Sequence, residues 1–174
     1  MSQIDEWLNL MNKADEIMDK KGDLDVDSTI PFLVELLDTY QNAHLEDAAV
    51  KVTQYLLSFG RVMIPYLNLQ QQETNFIHYF CGYVMPQCSD DLLIVMREQL
   101  WEVLQRNDTS EETDLVVINY LLQRKLFINE LKEILVEKKK HMEQELIQGD
   151  RPFIQNYLES LNNILQVYQF LWVK

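Results

Sequence analysis

Apolar residues recur at steps of three and four along this chain, and few residues interrupt them. Glycine and proline occur four times each in 174 residues, fewer than the turns of an all-β sandwich need. Residues 2–21 show the spacing well, with one apolar face formed by Ile4, Trp7, Leu8, Met11, Ala14, Ile17 and Met18. This period is that of an amphipathic helix. The sequence therefore predicts an all-α protein.

Capping residues and breakers divide the first part of the chain. Ser2 is expected to cap the first helix and Gly22 to end it. Ser28 is expected to cap a second helix, with Pro31 in its first turn and an end near 41–42. Further helices are expected at residues 44–58, 63–69, 73–85 and 89–104, with Gly60 and Pro86 as stops and Ser89 as a cap.

Thr109 or Ser110 is expected to cap the longest uninterrupted segment, since Thr109 precedes Glu112 at the spacing of a capping box. No breaker follows until Gly149, so we expect one helix of roughly forty residues, about 57 Å long at 1.5 Å per residue. A helix of that length is expected to bend or to project. Gly149 and Pro152, with Asp150 as a cap, then start a second apolar helix. The two helices would form a C-terminal helical hairpin.

An Ile-Pro-aromatic-Leu sequence occurs at residues 30–33 and again at 64–67, 34 residues later. Ala48 and Ala49 lie between the two, where another helix could approach closely, and Gly60 precedes the second proline. A helix opened by proline, a helix with small residues and a glycine before the next proline resemble a HEAT-type repeat.

More narrowly, residues 28–124 resemble a small, functionally uncharacterised bacterial HEAT-like family. The resemblance implies a right-handed stack of antiparallel helix pairs. Some small helical proteins of this general kind are suspected to be immunity proteins of bacterial toxin systems. On this basis residues 1–124, including the N-terminal helix at 2–21, are assigned to a HEAT-like domain. Residues 125–174 are assigned to the hairpin, packed on that domain or extending it.

The charge balance limits the class of partner. Fifteen basic and 28 acidic residues give a formal charge of -13. This charge repels phosphate backbones and anionic lipid, and it favours a basic protein as the partner over nucleic acid or membrane. The chain opens with no signal-peptide pattern and has no apolar run of the ~18 residues that a membrane span requires. These features predict a cytoplasmic protein.

Asp23, Asp25 and Asp27 have the opening rhythm of an EF-hand loop. Ser28 and Val34, however, occupy the positions of the conserved glycine and the bidentate glutamate of that loop. A solvated acidic linker is therefore the preferred interpretation, and no calcium site is predicted.

No other motif indicates catalysis or a cofactor. His44, His78 and His141 lack the spacing of metal ligands, and Cys81 and Cys88 are seven residues apart, which predicts free, partly buried thiols. A phosphate-binding loop and a nucleophile elbow are both missing from the sequence. We therefore predict a protein that is not an enzyme and needs no cofactor or metal.

The aromatic and basic side chains have two interpretations each. Aromatic residues at helical spacing are more often core than interface, and Trp172, near the end of the chain, is the best candidate for exposure. Lys138, Lys139 and Lys140 are surrounded by glutamates, which favours a solvated, ion-paired face over a basic recognition patch.

The first functional hypothesis is a binding protein that engages a basic partner, as an immunity protein engages a toxin. Its surface would be lined by the helices near 44–58, 73–85 and 110–124, with candidate contacts at Asp47, Lys51, Gln54, Asn75, His78 and Asn119. The second is an assembly module that forms homodimers through the hairpin. The third, an enzyme acting on nucleic acid, is disfavoured by the acidic charge.

Overall fold

The computed structural model describes residues 2–20, 24–106, 109–149 and 152–173. Regular structure within these ranges is helical throughout, with no strand, which confirms the all-α prediction. The chain forms two compact units that meet in sequence between Val95 and Met96. The α-helices of the first unit are α1 (Gln3–Asp19), α2 (Val26–Asn42), α3 (Glu46–Leu57), α4 (Ile64–Leu67), α5 (Thr74–Tyr79) and α6 (Asp90–Val95). Those of the second are α7 (Arg97–Leu104), α8 (Thr113–Gln123), α9 (Ile128–Gln148) and α10 (Pro152–Val167).

The first unit is organised around α2, which packs against α3, α4 and α5. Its apolar face supplies Ile30, Leu33 and Leu37 to the core, where they join Leu56 and Phe76. The Ile-Pro-aromatic-Leu segments thus contribute their isoleucine and leucine to burial, as an amphipathic helix requires.

Several expected boundaries of the first unit are confirmed. Ser2 caps α1 by accepting a hydrogen bond from the Asp5 amide, and α2 ends at Asn42. Ser28 is not a cap, because α2 begins earlier, at Val26 after Asp25, and Pro31 lies inside the helix rather than in its first turn. The expected stop at Gly22 lies outside the described residues.

The middle of the chain is more irregular than its apolar spacing suggested. The helix expected at 73–85 ends as α5 at Tyr79, continues as a π-helical turn at Phe80–Val84 and closes in a 3-10 turn at Met85–Gln87. The helix expected at 89–104 starts after Ser89, whose Oγ accepts a hydrogen bond from Leu92, but it is divided into α6 and α7 by a turn at Met96.

The single long helix predicted from Thr109 is wrong. Helix α8 begins at Thr113, after a left-handed Glu112 (φ 54°), so the capping box does not form. Helix α8 then ends at Gln123, where Leu126 N donates to Leu121 O (3.0 Å) and Lys125 N donates to Leu122 O (3.0 Å). These two bonds are a Schellman motif.

Lysine occupies the left-handed position of this motif (Lys125, φ 58°), where glycine is usual, so no breaker marked the turn in the sequence. Gly149 is also not a left-handed stop, because its backbone is extended (φ -175°), and the predicted cap Asp150 lies outside the described ranges.

Helices α8, α9 and α10 pack against one another in the second unit, and α7 packs against α8. Ile118, Leu131, Leu135 and Leu161 form the centre of this core. The sequence-based division at residue 124 coincides with the C-cap of α8, whereas the two compact units divide after Val95. Among the helices described, none is both long and apolar enough to span a bilayer.

Candidate functional site

A cleft of about 510 Å³ opens in the first unit between the end of α2, the start of α3 and α5. We call it the α3–α5 cleft. The residues that line it include the carboxylates of Glu46 and Asp47, the amide of Asn75, the aliphatic side chain of Val50 and the aromatic rings of Tyr79 and Tyr83.

The corner between α2 and α3 positions one wall of the cleft. A second Schellman motif ends α2: Leu45 N donates to Tyr40 O (3.0 Å), and His44, which donates to Gln41 O, adopts the left-handed conformation (φ 59°). The chain therefore reverses within a few residues and starts α3 with Glu46 and Asp47. Acidic side chains in a first turn are favoured by the helix dipole, which holds this negative charge at the mouth of the cleft.

The opposite wall is aromatic. The rings of Tyr79 and Tyr83 stack with their centroids 4.9 Å apart and an interplanar angle of 26°. Tyr83 remains 54% exposed, whereas Phe80, in the same π-helical turn, is buried in the core. The helical spacing of these aromatic residues favours a place in the core for all of them. The π-helical turn is what separates exposed Tyr83 from buried Phe80, and the spacing of the sequence does not reveal that turn.

A buried polar atom lies beside the aromatic wall, since His78 Nε2 has no hydrogen-bond partner among the described residues. Burial raises the pKa of Tyr79, the Thr53 side chain opposes this increase, and the charges of Tyr83 and Glu46 add to it. Glu46, His78 and Tyr79 all line the cleft.

A second concavity, the α1–α3 groove, adjoins the cleft. It has a volume of about 650 Å³, and its lining is mostly apolar, including Trp7, Met11 and two strongly exposed side chains of α1, Ile4 (64%) and Leu8 (59%). Residues 44–47 line both the groove and the cleft. The two concavities are therefore neighbours across one short wall.

Polar contacts hold α1 in place beside the groove. The Asp15 carboxylate accepts a hydrogen bond from the Tyr55 hydroxyl (2.5 Å) and pairs with Lys51 Nζ (2.9 Å). The hydrogen bond from Tyr55, followed by the contact with Lys51, lowers the pKa of Asp15. The Tyr40 hydroxyl also donates to the Trp7 carbonyl (2.6 Å). Ala14 is the fully buried residue of α1, and half-buried apolar side chains of the helix act together with these polar contacts.

The structure brings most of the predicted contact residues to this region. Asp47, Asn75 and His78 line the α3–α5 cleft, and Lys51 lines the groove, where it pairs with Asp15. Gln54 lies on α3 and donates to Gln87. The sixth residue, Asn119, belongs to the second unit, where it accepts a hydrogen bond from the Tyr168 hydroxyl (2.9 Å).

The second unit contains a buried polar cluster that the sequence did not indicate. Asp114 is fully buried, and its Oδ2 accepts a hydrogen bond from Tyr157 (2.5 Å) and pairs with Lys138 Nζ (2.7 Å). Burial and the Asp114 charge raise the pKa of Tyr157. The prediction of a solvated lysine face is therefore wrong for Lys138, although Lys140 is exposed.

The C-terminal aromatic residues also differ from expectation. Trp172 is half-buried and not the exposed anchor predicted, because its Nε1 donates to the Ile128 carbonyl (2.8 Å) and Lys132 lies over its ring. Phe170, two residues earlier, is the exposed aromatic side chain at this end.

The described residues offer little for covalent or metal chemistry. Within them, no group of three or more His, Cys, Asp or Glu side chains is placed to hold a metal ion. Cys81 and Cys88 form no disulfide, as predicted, and both are buried rather than partly buried. Burial raises the pKa of the Cys81 thiol to about 12. A thiol with that pKa is a poor nucleophile at neutral pH.

Comparisons of the chain with protein-family models, with curated proteins and with solved structures found no match. The HEAT-like resemblance stays a prediction from the sequence.

Proposed function

We propose that this chain is a non-catalytic protein-binding module whose first unit engages a basic protein. The observation that carries the proposal is the wall at residues 44–47, which the acidic, aromatic cleft and the apolar groove share. A partner that crosses this wall would meet apolar anchors and negative charge in one continuous surface.

Exposed apolar side chains support the proposal. Ile4 and Leu8 in the groove, and Val50 and Tyr83 in the cleft, are all exposed. Protein interfaces combine an apolar core with a polar rim, and aromatic residues such as tyrosine often supply most of the binding energy. The carboxylates of Glu46 and Asp47 supply those polar groups here.

Charge supports a basic partner. The formal net charge of -13 gives a basic protein long-range attraction, which raises the association rate and disfavours acidic competitors. An immunity protein that covers the basic surface of a toxin is the form of this function to which the HEAT-like resemblance points.

The test is affinity capture from the source organism with three baits: wild type, the groove variant Ile4→Ser/Leu8→Ser and the control variant Val167→Ser/Phe170→Ser. The control removes equally exposed apolar side chains from the second unit. We expect the wild type and the control to retain one basic protein stoichiometrically and the groove variant to lose it. Equal retention by all three would contradict the proposed surface, and recovery of the bait alone would contradict the function.

Self-association is a second candidate, favoured by one observation. Ile147 near the end of α9 and Phe153 at the start of α10 are 86% and 58% exposed. Two copies could bury these side chains against each other. Sedimentation equilibrium at increasing concentration tests this candidate, which requires the wild type to dimerise and the Ile147→Ser/Phe153→Ser variant to stay monomeric.

A further inference from the structure

The exposed tyrosine of the α3–α5 cleft is arranged to receive a flat cation. Tyr79 stacks on one side of the Tyr83 ring, so Tyr83 is held in one orientation while more than half of it stays accessible. A π face fixed in this way attracts a cation placed over it, and the attraction is stronger for a partly desolvated pair.

Two carboxylates face the same space. Glu46 and Asp47 line the cleft from the α3 side, and no lysine or arginine is among the described residues that line it. The other titratable groups that line it are His44 and His78, together with the two tyrosines. Lys51, one turn after Asp47 on α3, lines the neighbouring groove and pairs with Asp15, so the described lining of the cleft itself carries negative charge without a lysine or arginine.

A guanidinium contacts an aromatic ring within the second unit. The Arg97 guanidinium lies 4.2 Å from the centroid of the Trp101 ring, which in turn packs edge-on against Phe127. An aromatic pair with a guanidinium above it is thus an arrangement that this protein already forms. In the cleft the aromatic pair and the acidic groups are present without the guanidinium.

We infer that the α3–α5 cleft binds an arginine side chain of the basic partner, with the guanidinium stacked on Tyr83 and paired with Glu46 and Asp47. This inference rests on the proposed function and specifies the chemistry of the partner. A volume of about 510 Å³ lies within the roughly 300–1,000 Å³ typical of ligand pockets, so one side chain with its flanking backbone fits.

Arginine suits the cleft better than lysine for physical reasons. Its guanidinium is planar, so it can stack on a ring while its edge donates to carboxylates, and it is less strongly hydrated than an ammonium group. A lysine could satisfy either the ring or the carboxylates, but its compact, well-hydrated charge gains less from doing both.

The inference is tested by titrating the ¹⁵N-labelled full chain with three capped pentapeptides of sequence Gly-Ser-X-Ser-Gly, in which X is arginine, lysine or citrulline. Citrulline keeps the shape of arginine and removes its charge. We expect the arginine peptide to shift the amide signals of Glu46, Asp47 and Tyr83 saturably and to bind at least about tenfold more tightly than the citrulline peptide. Equal binding of the lysine or the citrulline peptide would overturn the inference.

Matched variants distinguish peptide binding in the cleft from a general attraction between the basic peptide and the acidic protein. Tyr83→Ala and Glu46→Gln/Asp47→Gln are each expected to weaken the arginine peptide at least about fivefold. Phe170→Ala and Glu130→Gln/Glu143→Gln, which remove an aromatic ring or two carboxylate charges at exposed sites in the second unit, should leave its affinity unchanged. An equal loss in these controls would overturn the inference, and the unchanged remainder of the amide spectrum verifies that each variant is folded.

The same variants distinguish failure of this inference from failure of the proposed function. If Tyr83→Ala and Glu46→Gln/Asp47→Gln retain a captured basic protein as well as the wild type does, arginine recognition is contradicted and the proposed function is not. If the cleft binds the arginine peptide but no protein is captured, the proposed function is contradicted and arginine recognition is not.

Discussion

Tyr157 on α10 donates a 2.5 Å hydrogen bond to the carboxylate of Asp114 on α8, and both residues are fully buried. Lys138 on α9 pairs with the same carboxylate, whose other oxygen accepts from the Leu115 amide (2.9 Å). A buried charge is costly unless such partners compensate it. One carboxylate therefore connects three helices and penalises any packing that would separate them.

Replacing Asp114 by Ala should lower the free energy of unfolding by about 3–5 kcal/mol, because the buried Tyr157 hydroxyl and Lys138 ammonium both lose the carboxylate that they contact. Urea denaturation measures this change. Glu143→Ala, an exposed acidic residue on α9, is the control and should stay within about 0.5 kcal/mol of wild type. The double variant Asp114→Leu/Lys138→Met should regain much of the loss, and an Asp114→Ala variant as stable as the control would refute the role of the cluster.

The raised pKa of Tyr157 predicts a loss of stability in alkaline solution. In the unfolded chain the phenol titrates near its ordinary value of 10.0, whereas in the folded chain it keeps its proton to higher pH. Its contribution is therefore complete below pH 10 and declines above it, by up to about 1.4 kcal/mol per pH unit. Tyr157→Phe should lack this part of the slope. Identical slopes for the two proteins between pH 10 and 11 would contradict the assignment.

The contact of Asp15 with Tyr55 predicts an effect at acid pH. Because the folded pKa of Asp15 is below 3.8, the carboxylate stabilises the protein above that pH, and the contribution is lost as the pH falls through the folded value. Asp15→Asn should remove this dependence and speed amide hydrogen exchange in α1 at pH 7. Glu16→Gln, the exposed neighbour on α1, should exchange like wild type. Unchanged exchange in Asp15→Asn would mean that α1 is held by other contacts.

The two cysteines should be unreactive in the folded protein. Both thiols are buried, and the pKa of Cys81 is raised to about 12, so hardly any thiolate is available at pH 7.5. Iodoacetamide followed by mass spectrometry should label neither site in native protein and both in urea. Rapid native labelling of Cys81 would show that the α5 region opens readily.

Replacement by alanine should change the stability of the protein in opposite directions at two of its glycines. Gly60 has φ +58°, a conformation that a Cβ disfavours, so Gly60→Ala should destabilise the protein by about 1–2 kcal/mol. Gly82 has open space around its Cα and no positive φ, and Gly82→Ala should be neutral or slightly stabilising. Thermal unfolding of both variants decides the matter, and a similar loss at both positions would contradict the backbone argument.

The sequence predicted helices well where a side chain acts on its own neighbours. Ser2 caps α1 and Gly60 adopts the left-handed backbone as expected, since both effects are local. The turn after α8 was missed because Lys125 and Phe127 accept positive φ angles, and tertiary packing outweighs the local preference for glycine there. Local sequence patterns therefore indicated that a segment is helical more reliably than they indicated where the helix is broken by a turn.

The candidate site was predicted only in part. Choosing polar residues on the helices near 44–58 and 73–85 located Asp47, Asn75 and His78, because residues on neighbouring helix faces meet when the helices pack. The groove was missed, since its exposed Ile4 and Leu8 have the same spacing as core residues. Burial of Lys138 was missed for a related reason, as its partner Asp114 is 24 positions away in sequence.

The π-helical turn at Phe80–Val84 has a consequence for how this surface could diverge among related chains. A π turn contains one residue more than the α turn it replaces. Deleting one residue there, such as Gly82, would restore an α-helix and rotate every later side chain by about 100° around its axis. Tyr83 would leave the cleft without any aromatic residue being mutated. Insertions and deletions of single residues, as well as substitutions, can therefore change which side chain this helix presents to the cleft.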